Sequence, residues 1–264
     1  MDGLGDGIIS WRNGIPFYHL KTEEEFRLDP YEDYNQMVVR QLDLHFGHKN
    51  YPWQAIDDWL YTMINPVEAK AKILVEVGCG LGRQIATLVN NFDNIQAYGF
   101  DYSYQMLRIA NDYWCSQKPL NWHSQRGWGE KQCPSLSYAI PKDDEQPRKF
   151  LHFGLARASA LPLLDHSVDA LFSCFLFDRL SQPKKVLKEW FRIIKPGGQL
   201  LIISPMNFQN NANWESWYPI DILVDRISGL GFTLQNQNAM EVYEPLDLHG
   251  NQIKWKVNGL NFTK

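Results

Sequence analysis

The chain has 264 residues, of which 44% are hydrophobic and 21% charged, and its 26 Lys and Arg against 30 Asp and Glu give a formal net charge of −4. This is the composition of a globular protein of one or two domains and excludes a disordered chain. The slight acidic excess disfavours avid binding to nucleic acid, which needs a basic surface. The longest apolar run, 170–177, is far too short to cross a membrane, and the first residues show no signal-peptide pattern. We therefore expect a cytoplasmic protein without a membrane anchor.

The four cysteines, Cys79, Cys115, Cys133 and Cys174, are far apart in the sequence. No pair has the spacing of a zinc site, so we expect no bound metal. Such spacing is typical of reduced thiols in a cytosolic protein.

The first 70 residues predict a helical cap or lid, with the clearest helices at 34–46 and 53–64. From residue 71 to 264, short apolar runs alternate with helical patterns, which is typical of a mostly parallel sheet with helices on both faces. The predicted strands are 73–77, 96–101, 150–154, 168–175, 199–204, 232–237 and 253–262. The predicted helices of this part are 83–91, 103–114, 183–194 and 220–229. We therefore predict an α/β fold with a seven-stranded Rossmann-like sheet, in which the closing pair includes an antiparallel strand.

Residues 115–149 form an insertion before the third predicted strand. The segment is polar but rich in Trp and Pro, and it is longer than an ordinary connection. We expect it to be ordered and, together with residues 1–70, to cover a ligand site.

A glycine-rich turn, Glu76-Val77-Gly78-Cys79-Gly80-Leu81-Gly82, joins the first strand of the sheet to a helix. Glycines let the backbone turn sharply and approach a ligand closely. A dinucleotide site would have its third glycine at position 83, where this sequence has Arg83. Asp101 ends the next strand, in the position from which a carboxylate accepts hydrogen bonds from ribose hydroxyls. The G-x-G-x-G spacing favours S-adenosylmethionine, which has no pyrophosphate to bind.

Several stretches between 73 and 205 resemble, in order, the motifs of the class I S-adenosylmethionine-dependent methyltransferases. The glycine turn resembles the first motif, and Gly99-Phe100-Asp101-Tyr102-Ser103 resembles the second. Within this class, Gly80-Leu81-Gly82-Arg83 and Cys174-Phe175-Leu176-Phe177-Asp178 are similar to the carnosine N-methyltransferase-like proteins. The small-molecule group around the quinone and sterol methyltransferases fits the first two motifs equally well.

The resemblance implies a set of residues that bind the cofactor. Those on the carboxypropyl and ribose side are Glu76, Gly78, Cys79, Gly80, Gly82 and Asp101, and Arg83 after the turn is also expected to bind the cofactor. Those near the adenine are Tyr102, Met106, Arg157, Ala158 and Ser159, and Cys174 lies beneath the cofactor. Members of the family often have an aspartate where this chain has Arg157, so adenine recognition here is expected to differ.

The resemblance also implies a role for Asp178, which follows the fourth strand. A carboxylate there can orient an amine or imidazole acceptor and stabilise the positive charge that grows on nitrogen during transfer. A structural role, as a helix cap or in an ion pair with Arg179, is the alternative. The candidate substrate contacts are Tyr34, His45, Phe175 and Phe177.

We thus expect an enzyme that methylates a small molecule, with nitrogen favoured over oxygen. An oxygen acceptor, an RNA or protein substrate, and an inactive scaffold with the same fold are alternatives. The sequence leaves the oligomeric state open.

Overall fold

The computed structural model describes residues 4–5, 7–33, 35–64, 72–90, 92, 95–124, 136–140, 150–208, 214–246 and 251–264. The strands are β1 (Ser10–Arg12), β2 (Ile15–Phe17), β3 (Lys72–Val77), β4 (Ile95–Asp101), β5 (Leu120–Ser124), β6 (Leu136–Ile140), β7 (Leu151–Leu155), β8 (Val168–Cys174), β9 (Ile194–Ser204), β10 (Thr233–Pro245) and β11 (Gln252–Thr263). The helices are α1 (Glu23–Leu28), α2 (Gln36–Phe46), α3 (Gln54–Met63), α4 (Arg83–Asn90), α5 (Tyr104–Ala110), α6 (Pro183–Ile193) and α7 (Ile220–Ser228). None of the helices in these ranges is long and apolar enough to cross a membrane.

One large sheet has the strand order β1-β2-β7-β4-β3-β8-β9-β11-β10. The five strands β7, β4, β3, β8 and β9 are parallel, whereas β11 runs antiparallel to both β9 and β10. The expected α/β fold and antiparallel closing strand are therefore confirmed. The carboxyl ends of the parallel strands lie along one edge of the sheet, where open α/β proteins bind their ligands.

Alternate residues of the central strands enter two separate cores. In β3, Leu74 packs with α2, α3, α4 and α5 on one face, and Val75 packs with α6 and α7 on the other. Because both faces are covered, the strand is a near-continuous apolar run rather than an alternating one.

The sheet has nine strands rather than the predicted seven, because residues 10–17 form a hairpin at its edge. Asn13 (φ 50°) and Gly14 (φ 75°) both lie in the left-handed region, which a two-residue hairpin turn requires. Phe17 of β2 pairs with Leu155 of β7, so this part of the predicted helical cap belongs to the sheet.

Three element boundaries also differ from the prediction. The strand predicted at 232–237 runs on to Pro245 as β10. The predicted helix 103–114 is α-helical only to Ala110 and then continues as a π-helical turn over Asn111–Cys115. The predicted strand at 199–204 begins earlier, at Ile194, because an irregularity in its pairing with β8 takes up the residues before Gln199.

The insertion packs against the N-terminal helices. Its strands β5 and β6 form an antiparallel hairpin. Asp43 of α2 is buried and accepts hydrogen bonds from Trp122 Nε1 at 2.9 Å and Ser124 Oγ at 2.5 Å. The described part of the insertion and the helical cap are thus joined directly.

Candidate active site

The glycine turn runs from the end of β3 into α4, tightly against the neighbouring strands. The backbone N–H groups of Gly78 and Cys79 donate to the carbonyl of Phe100, at 2.8 and 3.1 Å. Gly82 has φ +69°, and a Cβ there would lie 2.6 Å from the ring of Phe153. Only glycine fits at position 82, because any side chain would be strained and would collide with that ring.

Asp101 is fixed beside this turn at the end of β4. Its Oδ2 accepts a hydrogen bond from Gly80 N and its Oδ1 one from Ser103 N, both at 2.8 Å. Burial raises the pKa of Asp101, and the two backbone hydrogen bonds oppose that rise. The carboxylate is therefore a preorganised acceptor at the edge of the turn.

Glu76 and Cys79 are buried next to the turn, and Cys174 at the end of β8 is half-buried. Glu76 is buried and accepts a hydrogen bond from Ile85 N at 3.1 Å. Burial raises the pKa of this carboxyl and of both thiols well above their usual values. The cysteines are therefore neutral thiols and not activated nucleophiles.

Two of the residues that were predicted to lie near the adenine, Tyr102 and Arg157, are in contact with the N-terminal segment. Tyr102 stacks on His19, with ring centroids 5.7 Å apart, and Lys21 Nζ lies 4.5 Å from the centre of the Tyr102 ring. Arg157 bonds to His19 and forms an ion pair with Glu25 of α1. Arg157 thus holds α1 at this rim of the site, which gives a structural reason for an arginine at that position.

Three other predicted residues lie close to these elements. Ala158 and Ser159 form the turn between Arg157 and Ala160, whose backbones pair. The Cε atom of Met106 lies 3.5 Å from the position that a Cβ on Gly80 would occupy. Met106 therefore lies against the glycine turn, and Ala158 and Ser159 adjoin Arg157.

Arg83, the first residue of α4, is held by groups from the cap. Its Nη1 donates to the carbonyl of His45 at 2.9 Å, and its guanidinium lies 3.9 Å from the centre of the Tyr51 ring. The Tyr51 hydroxyl bonds to His45 Nδ1 at 3.0 Å and to Gln84 Nε2 at 2.6 Å. Burial and the nearby Arg83 charge lower the pKa of His45 to about 3, so its imidazole is neutral at physiological pH.

An aromatic wall, formed by Trp53, Phe175 and Trp255, lies at the end of β8. Trp53 stacks on Phe175 with ring centroids 4.2 Å apart, and Trp255 meets Phe175 edge-on at 6.0 Å. Phe175 has φ +53°, an uncommon backbone conformation for a bulky residue. The wall joins three distant parts of the chain, and of its members only Phe175 was predicted to contact substrate.

Asp57 of α3 was also missed by the sequence analysis. It is 6% exposed, and neither carboxylate oxygen has a hydrogen-bond partner in the described structure. Burial raises the pKa of Asp57 to about 7. Positions 53, 57, 60 and 64 share one face of the helix, so a charged residue on this otherwise apolar face was the signal available in the sequence.

Asp178 and Phe177 lie in the turn after β8. Asp178 is 4% exposed and its Oδ2 accepts a hydrogen bond from Asn207 N at 2.8 Å, while its Oδ1 has no partner among the described residues. Phe177 packs against Trp190 and Trp217 in the core beneath α6. The structure therefore brings Phe175 and His45 to the glycine-turn side and Phe177 to the opposite core. Tyr34 lies outside the described residues.

Comparisons with known proteins agree with this architecture. A family model described as a methyltransferase domain matches residues 132–202. The malonyl-[acyl-carrier protein] O-methyltransferase of Marinomonas sp. is 22% identical over 187 residues, which are 69% of this chain and 58% of that protein. The demethylmenaquinone methyltransferase of Renibacterium salmoninarum is 36% identical over 67 residues, which are 25% of this chain and 28% of that protein. The chain thus spans less than two thirds of the length of these curated relatives.

The fold is shared with solved methyltransferase structures. Phosphoethanolamine N-methyltransferase 2 of Haemonchus contortus, in complex with S-adenosyl-L-methionine, matches with a TM-score of 0.59 and 14% identity, over 94% of this chain and 61% of that chain. The chain is thus similar to S-adenosylmethionine-dependent methyltransferases in its fold and, over residues 132–202, to the methyltransferase domain in its sequence. The resemblance found in its motifs is thereby confirmed.

Proposed function

We propose that this protein transfers the methyl group of S-adenosylmethionine to a small-molecule acceptor, at the nitrogen of an amine or imidazole. The observation that carries the cofactor part of the proposal is Asp101, whose carboxylate the backbone of Gly80 holds against the glycine turn. A fixed acceptor for hydroxyl groups beside a turn that a ligand can approach closely supports binding of a nucleoside, and the aromatic wall after β8 supports an apolar pocket for the acceptor.

The residues present fit the cofactor. The turn at Gly82 has no room for a side chain, which allows the backbone to approach a ligand. Asp101 would accept hydrogen bonds from the ribose hydroxyls, and Tyr102 and Met106 would flank the adenine. Bound S-adenosylmethionine supplies an electrophilic methyl group.

The contribution of the chain is to align the acceptor and exclude water. Holding two reactants in the correct geometry can supply about 7–11 kcal/mol of the barrier without a catalytic side chain. Trp53 and Phe175 offer an apolar surface that would exclude water from the transferred methyl. Because burial raises the pKa of the Cys174 thiol, we expect no covalent step through it.

A carboxyl group after β8 favours nitrogen as the acceptor atom. Asp178 is buried there, and its carboxylate, when ionised, would stabilise the positive charge that grows on nitrogen. An oxygen acceptor is the second candidate. The Marinomonas relative is named as an O-methyltransferase, and a carboxyl group with a pKa of about 7, such as Asp57, is suited to remove a hydroxyl proton.

The choice of acceptor atom is tested with a panel of small amines, imidazoles, carboxylates and phenols. Each is mixed with the protein and S-adenosylmethionine, and S-adenosylhomocysteine formation and the mass of the acceptor are measured. We expect a gain of one methyl group on amines or imidazoles. Methylation of oxygen acceptors alone would overturn the nitrogen assignment but leave the cofactor assignment intact.

We also propose that Asp178 serves the acceptor through its unpartnered Oδ1. Asp178→Asn keeps an oxygen that can accept from Asn207 N, so the fold and cofactor affinity should hold. We expect turnover to fall about 10- to 1000-fold, and Asp221→Asn on the exposed start of α7 serves as the control. A variant that melts earlier yet turns over normally would show that Asp178 is only structural.

A further inference from the structure

The hairpin of β10 and β11 extends past the rest of the sheet at the edge where the parallel strands end. β11 pairs with β9 only as far as Asn258, whose partner is Ser204, the last residue of β9. Beyond that point β11 pairs with β10 alone, over residues 252–257 and 240–245. At about 3.4 Å per residue, these two segments form an arm that reaches roughly 20 Å past the carboxyl end of β9.

One face of the arm packs against the helical cap. Along β10, Met240, Val242 and Glu244 are buried, and the residues between them are exposed. The two apolar side chains belong to the core cluster that includes α2 and α3. At the base of the arm, a Cβ on Gly259 would lie 3.0 Å from the ring of Trp59 in α3. The arm therefore borders the side of the sheet that the cap covers.

A buried carboxylate joins the arm to α2 and fixes the ring of Trp255. Glu244 is 6% exposed, and its Oε1 accepts a hydrogen bond from Arg40 Nε at 2.5 Å. Its Oε2 accepts one from Trp255 Nε1 at 3.0 Å. One oxygen thus serves the cap and the other the arm, and together they set the orientation of the indole.

Two contacts connect Trp255 with the glycine turn. Trp255 meets Phe175 with ring centroids 6.0 Å apart and an angle of 86° between the rings. Leu176, the next residue, lies so close to the glycine turn that a Cβ on Gly78 would be 2.9 Å from its Cδ2. Both rings are partly exposed, so they form a corner next to the turn that a ligand can reach.

We propose that the arm selects the acceptor: Trp255 contacts the acceptor, and Glu244 is the positioning residue that holds the indole. The inference rests on the proposed function, because the corner receives an acceptor only if the cofactor lies along the glycine turn. Two perpendicular rings offer edge and face contacts to a third aromatic ring. The acceptor class is therefore an amine attached to an aromatic ring, in preference to a small aliphatic amine.

The first test compares two primary amines, tyramine, which has an aromatic ring, and ethanolamine, which has none. In the presence of S-adenosylmethionine, we expect wild type to methylate tyramine with the higher kcat/KM. Trp255→Leu should raise the KM for tyramine about tenfold, with kcat and the KM for ethanolamine unchanged. Tyr243→Leu, on the exposed face of the same arm, is the matched control and should change none of these values.

The second test asks whether Glu244 acts through Trp255. Glu244→Leu removes both acceptors, and we expect it to raise the KM for tyramine about as much as Trp255→Leu does, again about tenfold. Glu244→Gln keeps an oxygen that can accept from Trp255 Nε1 and should restore most of the affinity. Melting curves and calorimetry with S-adenosylhomocysteine establish that each variant is folded and binds the cofactor product. A lower melting temperature with an unchanged KM would show that Glu244 is only structural.

The outcomes separate this proposal from the proposed function. An unchanged KM for tyramine in Trp255→Leu, or a wild-type preference for ethanolamine, would overturn the proposal. If tyramine binds the S-adenosylhomocysteine complex without being methylated, its Kd replaces KM in the same comparison. If the complex neither binds nor methylates tyramine, the proposal is overturned while the cofactor assignment stands. If wild type does not bind S-adenosylhomocysteine, the proposed function itself fails.

Discussion

At the residue scale, the site combines ionisable groups whose burial shifts their protonation toward the neutral form. Asp57 has its pKa raised to about 7 and His45 has its pKa lowered to about 3, in both cases mainly through burial. Such shifts reduce the stability of a fold and are concentrated at functional sites. The cost at Asp57 can be measured directly.

Asp57→Asn is expected to stabilise the protein at pH 8. A carboxyl whose pKa is raised from 3.8 to about 7 on folding favours the folded state at low pH, and that benefit is lost as pH rises through 7. The neutral amide avoids the cost of a buried charge, so the free energy of unfolding should rise by on the order of a few kcal/mol at pH 8. The gain should shrink as pH falls toward 5. Melting temperatures of both proteins at the two pH values test this, and an equal stability at pH 8 would contradict it.

The sequence identified the residues of this site that belong to a local pattern. The glycine turn and Asp101 follow from the spacing of one strand, one turn and the next strand. Trp53 and Trp255 come from the cap and from the last strand, and they meet only because both pack against Phe175. No local pattern could predict such a contact.

At the scale of elements, the cap and the insertion act together through Asp43. Removing its carboxylate would leave Trp122 Nε1 and Ser124 Oγ without this buried acceptor. We expect Asp43→Ala to lower the free energy of unfolding by about 2–4 kcal/mol, since each buried unpaired group costs about 1–3 kcal/mol. Urea unfolding followed by tryptophan fluorescence measures the change. A loss below about 0.5 kcal/mol would show that the insertion is not anchored there.

Ligand binding should order the same elements. We expect S-adenosylhomocysteine to slow hydrogen exchange in α2, in α3 and in β5, because α2 bonds to Arg83 and to β5, and α3 packs on α4. Protection confined to residues 78–82 and 101–106 would show that the cap does not close over the ligand.

The hairpin β1–β2 shows which element predictions fail. Its two strands have three residues each, too few for an alternating apolar pattern, and only the Asn13-Gly14 turn marks them. The long central strands and the amphipathic helix α6 carry clear periodicity, and their positions were predicted to within a few residues apart from the early start of β9.

At the scale of the whole molecule, the order of the strands places the site. Successive connections lead from β3 outward to β4 and β7 on one side and to β8 and β9 on the other. The order in which the chain visits the strands therefore reverses at β3, although the strands there are parallel. A crevice forms at the carboxyl ends of the strands at that point. The glycine turn, Asp101 and Phe175 all lie at this edge. Asp57 and Arg83 reach it because α3 and α4 both begin there.

The most direct test of this account is a calorimetric titration of wild type and Asp101→Ala with S-adenosylhomocysteine. Asp101→Asn, which keeps one oxygen acceptor, is the matched control and should lie between them. We predict that wild type binds and that the alanine variant binds roughly tenfold to a hundredfold more weakly, since charge-assisted hydrogen bonds contribute about 1.5–3 kcal/mol. Equal affinities of the two proteins, or no binding by wild type, would contradict the account.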